Sequence, residues 1–108
     1  MTAIEIVKHN GKYRGFECHG HAGYAEEGED IVCSAISVLT INTVNSIDHF
    51  LDDEVTFTAN EKEGIMQCYF CGEPSKEASL LMDSLVLGLE SIVSQYGKQY
   101  IRLEIREV

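Results

Sequence analysis

Residues 31–51 constrain the chain more than any other stretch. Ile31, Ala35, Val38, Leu39, Ile41, Val44, Ile47, Phe50 and Leu51 recur at spacings that fit a broad helical apolar face. Many of them are β-branched, which lowers intrinsic helix propensity. Such a helix is held by burial, and a sheet is the natural surface to bury it. Its narrow polar stripe is Ser34, Ser37, Asn45 and Asp48. Asp30 stands where an N-cap belongs, and Asp52-Asp53 closes the pattern.

The flanks supply the sheet. Thr2–Lys8 reads as a strand, and Asn10-Gly11 follows, a strong short hairpin signal. Lys12–His19 is the return strand, with Phe16 and Cys18 on one face and Tyr13, Glu17 and His19 on the other. After a loop at Ala22–Glu29 and the first helix, Glu54–Ala59 alternates, with Val55 and Phe57 on one face. The residues 60–64 turn, and Ile65–Cys71 forms the next strand. Gly72-Glu73-Pro74 breaks it and Ser75 is a second N-cap. Lys76–Tyr96 is a helix with Gly97 placed to end it. Gln99–Arg106 is a last strand with Ile101, Leu103 and Ile105 inward. The order is ββαββαβ, an α+β domain with one largely antiparallel sheet covered by two helices.

At 108 residues the chain has the size of a single domain, 1–108, and buries enough surface to need no metal or disulfide staple. There are 18 Asp and Glu against 8 Lys and Arg, a formal charge of -10. That balance opposes binding to nucleic acid, which requires Lys and Arg clusters. It favours encounter with a basic partner. The N-terminus lacks the basic and apolar segments of a signal peptide, and no stretch is expected to span a membrane. The expected compartment is the cytoplasm, where the four cysteines are reduced thiols.

The chemistry concentrates between residues 20 and 37. Cys33 falls in the first turns of the apolar helix, where the dipole and free amides favour a thiolate. A buried structural cysteine is the plainer alternative. A nucleophilic thiol needs a base within reach. His21, at the edge of the loop, is preferred over His19, although strict alternation puts both on one strand face; Gly20 between them permits a bend. His9 in a turn and His49 near a helix end read as solvated. Asp30 caps the helix and is placed to steer an imidazole. Glu26, Glu27 and Glu29 form an acidic run that attracts a basic peptide but disfavours a nearby thiolate. A metal reading draws on Cys18, His19, His21, Cys33, Cys68 and Cys71. It is disfavoured because Cys68 and Cys71 lie three apart in a strand pattern and face opposite ways. The same pair lacks the helix N-terminus of a redox dithiol. No metal or cofactor is expected.

Gly20-His21-Ala22, then Gly28-x-Asp30-Ile31-Val32-Cys33-Ser34-Ala35 with Ser37 beyond, resembles the signature of the ribosomal-processing cysteine protease family, Prp. Ser34 stands where alanine is commoner. The resemblance implies a small bacterial cysteine endopeptidase that removes a short N-terminal extension from the large-subunit ribosomal protein numbered twenty-seven during ribosome assembly. It implies His21 as the catalytic histidine and Cys33 as the nucleophile, with Asp30 and Ser37 at further motif positions. It also implies a homodimer, a substrate-gating loop carrying Gly23, Glu26, Glu27, Gly28 and Glu29, and an apolar groove near Cys33 for an aromatic pair before the cut. Ser37, four residues after Cys33, shares its helical face. Backbone amides at the helix start are expected to stabilise an oxyanion. The competing functional readings are a non-catalytic ribosome-assembly or protein-binding module with a structural Cys33, and a small zinc-binding domain.

Overall fold

A computed structural model describes residues 2–20, 27–60 and 62–108, and only the backbone of residues 27–30. The elements are β1 (Thr2–His9), β2 (Lys12–Gly20), α1 (Glu27–Phe50), β3 (Val55–Asn60), β4 (Ile65–Phe70), α2 (Lys76–Tyr96) and β5 (Ile101–Glu107). The strands form one sheet in the order β3-β4-β2-β1-β5. Every neighbouring pair is antiparallel except β1 and β5, which are parallel. The fold is therefore α+β, with the expected ββαββαβ order and a largely antiparallel sheet.

Two parallel crossovers place the helices. α1 joins β2 to β3 and α2 joins β4 to β5, each skipping intervening strands. The crossovers run in opposite directions along the sheet, from strands of opposite sense, so right-handedness in both puts both helices on one face. There they share one core of Ile4, Ile6, Phe16, Val32, Ile36, Ile47, Met82, Leu85 and Leu89.

Local chemistry accounts for most boundaries. Asn10 and Gly11 both adopt positive φ, 51° and 77°, as a tight hairpin turn with matching strand twist requires. α2 begins where Ser75 accepts from the Ala78 amide, and Asp53 in turn accepts from both the Ser75 amide and its hydroxyl. The helix ends at Gly97, whose N–H returns to the Val93 carbonyl.

Four expectations are corrected. α1 starts at Glu27, so Asp30 is an internal residue and not its N-cap, and Glu27, Gly28 and Glu29 are helical rather than loop. Acidic residues in a first helical turn complement the macrodipole, which favours this earlier start. Tyr13 lies on the core face, because a bulge between Val7 and Lys8 shifts the register at Arg14. Its buried hydroxyl donates to Asp83 at 2.5 Å, and burial first, then that bond, raises its pKa. Ile105 is exposed, since β5 is an edge strand whose cover ends after Ile101 and Leu103. Finally, Ile31–Phe50 is long and apolar enough to cross a membrane by length and composition. Here one face of it joins the core, with Val32, Ile36, Val44 and Ile47 buried. Ala35 and Leu39 are partly buried against the core, while Ile31, Val38, Ile41 and Phe50 are exposed instead of joining the expected broad buried face.

Candidate active site

Cys33 is the seventh residue of α1, nearly two turns in. The free amides of a helix belong to its first four residues, and the dipole fades beyond the first turn. Activation by the helix start, and an oxyanion site built from its amides beside Cys33, therefore do not follow from this geometry. What the structure gives Cys33 is a place. The side chain is half-buried and faces a cavity of about 580 Å³.

The helix wall of that cavity is Cys33, Ile36, Ser37 and Thr40, one face of α1 at successive turns. Thr40 is buried, and its hydroxyl is satisfied by the Ile36 carbonyl at 2.8 Å. The sheet wall is Thr2, Cys18 and Gly20. The far side is Ala59, Ile65 and Met66, with Asn60 and Lys62 among the polar groups that join it. The cavity is predominantly apolar, as a groove for aromatic side chains would be.

The other cysteines are set apart by position. Cys18 lines the same cavity but is buried in the core, and burial pushes its thiol up to about 12. Cys68 is also buried, and burial, then the neighbouring Cys71, pushes it to about 11. Cys71 is exposed beyond the end of β4, with the Thr56 hydroxyl 3.6 Å away. Among the described residues, no three His, Cys, Asp or Glu side chains come together as a metal site would need.

The histidines separate as well. His19 sits on the sheet face opposite the helices, its Nε2 3.0 Å from Glu17. Glu17 also accepts from Gln67 at 3.1 Å and from the Tyr69 hydroxyl. Cys18, one residue away, faces the cavity, so His19 is directed away from Cys33. His9 binds the Val108 carbonyl at 2.7 Å, and His49 is exposed against Phe50. His21, Gly23 and Glu26 lie outside the described residues, and of Asp30 only its helical backbone is described.

One residue of the site had not been singled out from the sequence. Thr2 is buried, and its Oγ1 lies 3.3 Å from Cys33 Sγ. The available signal was pairing: Thr2 opens the strand that returns against Gly20 in a hairpin whose turn was legible.

A half-buried thiol at an apolar cavity, on a helix packed over a five-stranded sheet, fits a small thiol hydrolase of α+β class. The family model for Cysteine protease Prp matches residues 1–102, and the chain belongs to that family and is a cysteine protease. It is similar to the ribosomal processing cysteine protease Prp of Staphylococcus aureus strain Mu50, 26% identical over 107 residues, 98% of this chain and 100% of the relative. The Bacillus subtilis strain 168 protein of the same name is 29% identical over 85 residues, 75% of this chain and 76% of the relative. Among solved structures, SMU.848 of Streptococcus mutans covers 100% of this chain and 99% of its own at a TM-score of 0.89 and 25% identity. The S. aureus ribosomal processing protease with a covalently linked product peptide covers 98% of this chain and 100% of its own at 0.86 and 25%.

Proposed function

We propose that this chain is an endopeptidase that removes the short N-terminal extension of the large-subunit ribosomal protein numbered twenty-seven, in the cytoplasm, during ribosome assembly. The observation that carries the reading is the half-buried Cys33 thiol at the mouth of an apolar cavity. The names of the relatives, ribosomal processing cysteine proteases, support the substrate class. A formal charge of -10 suits approach of a basic ribosomal protein.

The mechanism follows from a thiol and a base. His21 takes the proton of Cys33, and Sγ attacks the scissile carbonyl carbon. The C–N bond then breaks, the proton passes from His21 to the leaving amine, and a thioester remains on Cys33. Water attacks that thioester, gives a proton to His21, and releases the acid as the thiol re-forms. Asp30, one turn before Cys33, steers His21, and Ser37 lines the cavity one turn after it. Ile36, Ala59, Ile65 and Met66 receive the aromatic pair ahead of the cut. The acidic residues Glu26, Glu27 and Glu29 attract the basic peptide.

The active form is a homodimer. Val38 and Leu87 are each 68% exposed and Leu80 is 67% exposed, on helix positions directed away from the sheet, and such residues are commonly covered by a second copy. The test of the reading is incubation of the protein, and of its Cys33→Ala variant, with the extended ribosomal protein. The parent releases the extension after its aromatic pair and the variant does not. Cleavage by the variant, or none by the parent, overturns the reading.

A further inference from the structure

Thr2 is the first residue of β1, and nothing in its type marks it for a site. Its surroundings do. Its Oγ1 stands 3.3 Å from Cys33 Sγ, across 31 residues of sequence. Among the described residues, no other side chain is hydrogen-bonded to Cys33 or to the Thr2 hydroxyl.

The contact is held from both sides. Thr2 pairs with Gly20 on β2 and with Ile101 on β5, and its N–H donates to the Tyr100 carbonyl at 3.0 Å. It is 7% exposed, and a β-branched side chain is stiff at χ1. Across the pair, a Cβ at residue 20 would lie 2.7 Å from both Thr2 Cα and Thr2 Oγ1. Only glycine leaves the hydroxyl where it stands. Gly20 thus reserves the space, and Thr2 fills it with an oxygen aimed at the sulfur.

We infer that Thr2 is a positioning residue for Cys33, its hydroxyl fixing Sγ at the cavity and donating to the thiolate once the proton has left. A hydroxyl rotates to suit its partner, so it accepts from the thiol and donates to the thiolate without moving its oxygen. Hydrogen bonding to the charged form favours that form. Such help matters here because Cys33 is too deep in α1 to draw on the helix start.

The inference rests on Cys33 as the nucleophile, and its test reads the thiol independently of proteolysis. Cys71 is exposed and is first replaced by Ser in every protein used. The iodoacetamide alkylation rate of Cys33 is then followed against pH by peptide mass spectrometry in Thr2, Thr2→Ser, Thr2→Val and Thr2→Ala forms. Loss of a hydrogen bond to a charged group moves the half-maximal pH of the Val and Ala forms up by about one unit, and lowers the rate at pH 7 about tenfold. The Ser form keeps the parent profile within about twofold, since the hydroxyl is retained. Profiles of the Val and Ala forms that superimpose on the parent overturn the inference. So does a Ser form shifted as far as Val, which would make Thr2 a packing residue. Two apolar variants guard against misfolding of either, with circular dichroism as the check. Failure of the parent to cleave any peptide sinks the proteolytic reading and leaves these profiles to be judged alone.

Discussion

Cys33 and Cys18 stand on opposite walls of one cavity, yet their surroundings prepare them for opposite fates. Cys18 is on a central strand, packed into the core, and burial holds its thiol protonated up to about 12. Cys33 is on the helix that closes the cavity, half-exposed to it, with a hydroxyl at its sulfur. Free cysteine is among the most buried residue types, and Cys18 and Cys68 show that rule at work. The pair teaches that exposure differs with the wall: the strand buries Cys18 in the core, while the helix leaves Cys33 half-buried at the cavity.

The largest effect that separates the two is catalytic. Cys33→Ala lowers kcat/KM for the extended ribosomal protein at least about 10³-fold, the scale of losing a covalent nucleophile. Cys18→Ala leaves cleavage within a few-fold and costs about 1–2 kcal/mol of stability, as removal of one buried heavy atom does. Equal loss of activity in both would erase the distinction. Labelling comes next. In the native protein Cys33 is alkylated about 100-fold faster than Cys18 or Cys68, because buried cysteines are inert. Cys71, exposed at the end of β4, labels freely and must be replaced before the comparison is made.

The comparison also has a stability side. Cys18 and Cys68 are raised from 9.0 to about 12 and about 11 in the folded chain. A raised folded pKa means the folded state holds its proton more tightly. The contribution is whole below pH 9 and is lost as pH rises through those folded values. Urea midpoints measured from pH 8 to pH 11 therefore fall for the parent, and fall less for Cys18→Ala and Cys68→Ala. The smallest effect lies far from the cavity. Ser75→Ala removes a helix cap and costs about 1 kcal/mol. Asp53 is lowered from 3.8, first by its bond from the Ser75 hydroxyl. Its contribution is present above that value and is lost as pH falls below it, so an acid-unfolding curve is less steep in Ser75→Ala.

Where the sequence could be read, one residue carried the message locally. Ser75 and Gly97 mark the two ends of α2, and Asn10-Gly11 marks the hairpin, because a cap or a positive φ is decided by the nearest few residues. The start of α1 was misread at Asp30 for an instructive reason. Cap-forming and first-turn acidic residues are the same residue types, so a run of them does not say where the helix opens. Tyr13 breaks the alternation because the bulge adds Arg14 to β2, and the signal for it, Gly15 in the strand interior, does not by itself say that a residue has been inserted. The motif singles out Cys33, and the structure places that residue at the cavity, but seven residues into α1, where the helix start gives no reason for reactivity. The outward apolar residues Val38 and Leu87 carry the same letters as buried ones, and periodicity alone cannot say which side the sheet takes. Thr2 could not be found at all without the pairing that sets it opposite Gly20 and under Cys33.

In the proposed reaction the sulfur on the helix wall attacks a peptide seated in the cavity. The direct measurement is reaction with a peptide chloromethyl ketone ending in two aromatic residues, followed by intact-mass and fragment analysis. A single adduct per chain is expected, carried by Cys33, with complete loss of cleavage once it has formed. An adduct on Cys18 or Cys71, or full cleavage by protein whose Cys33 is modified, would contradict it.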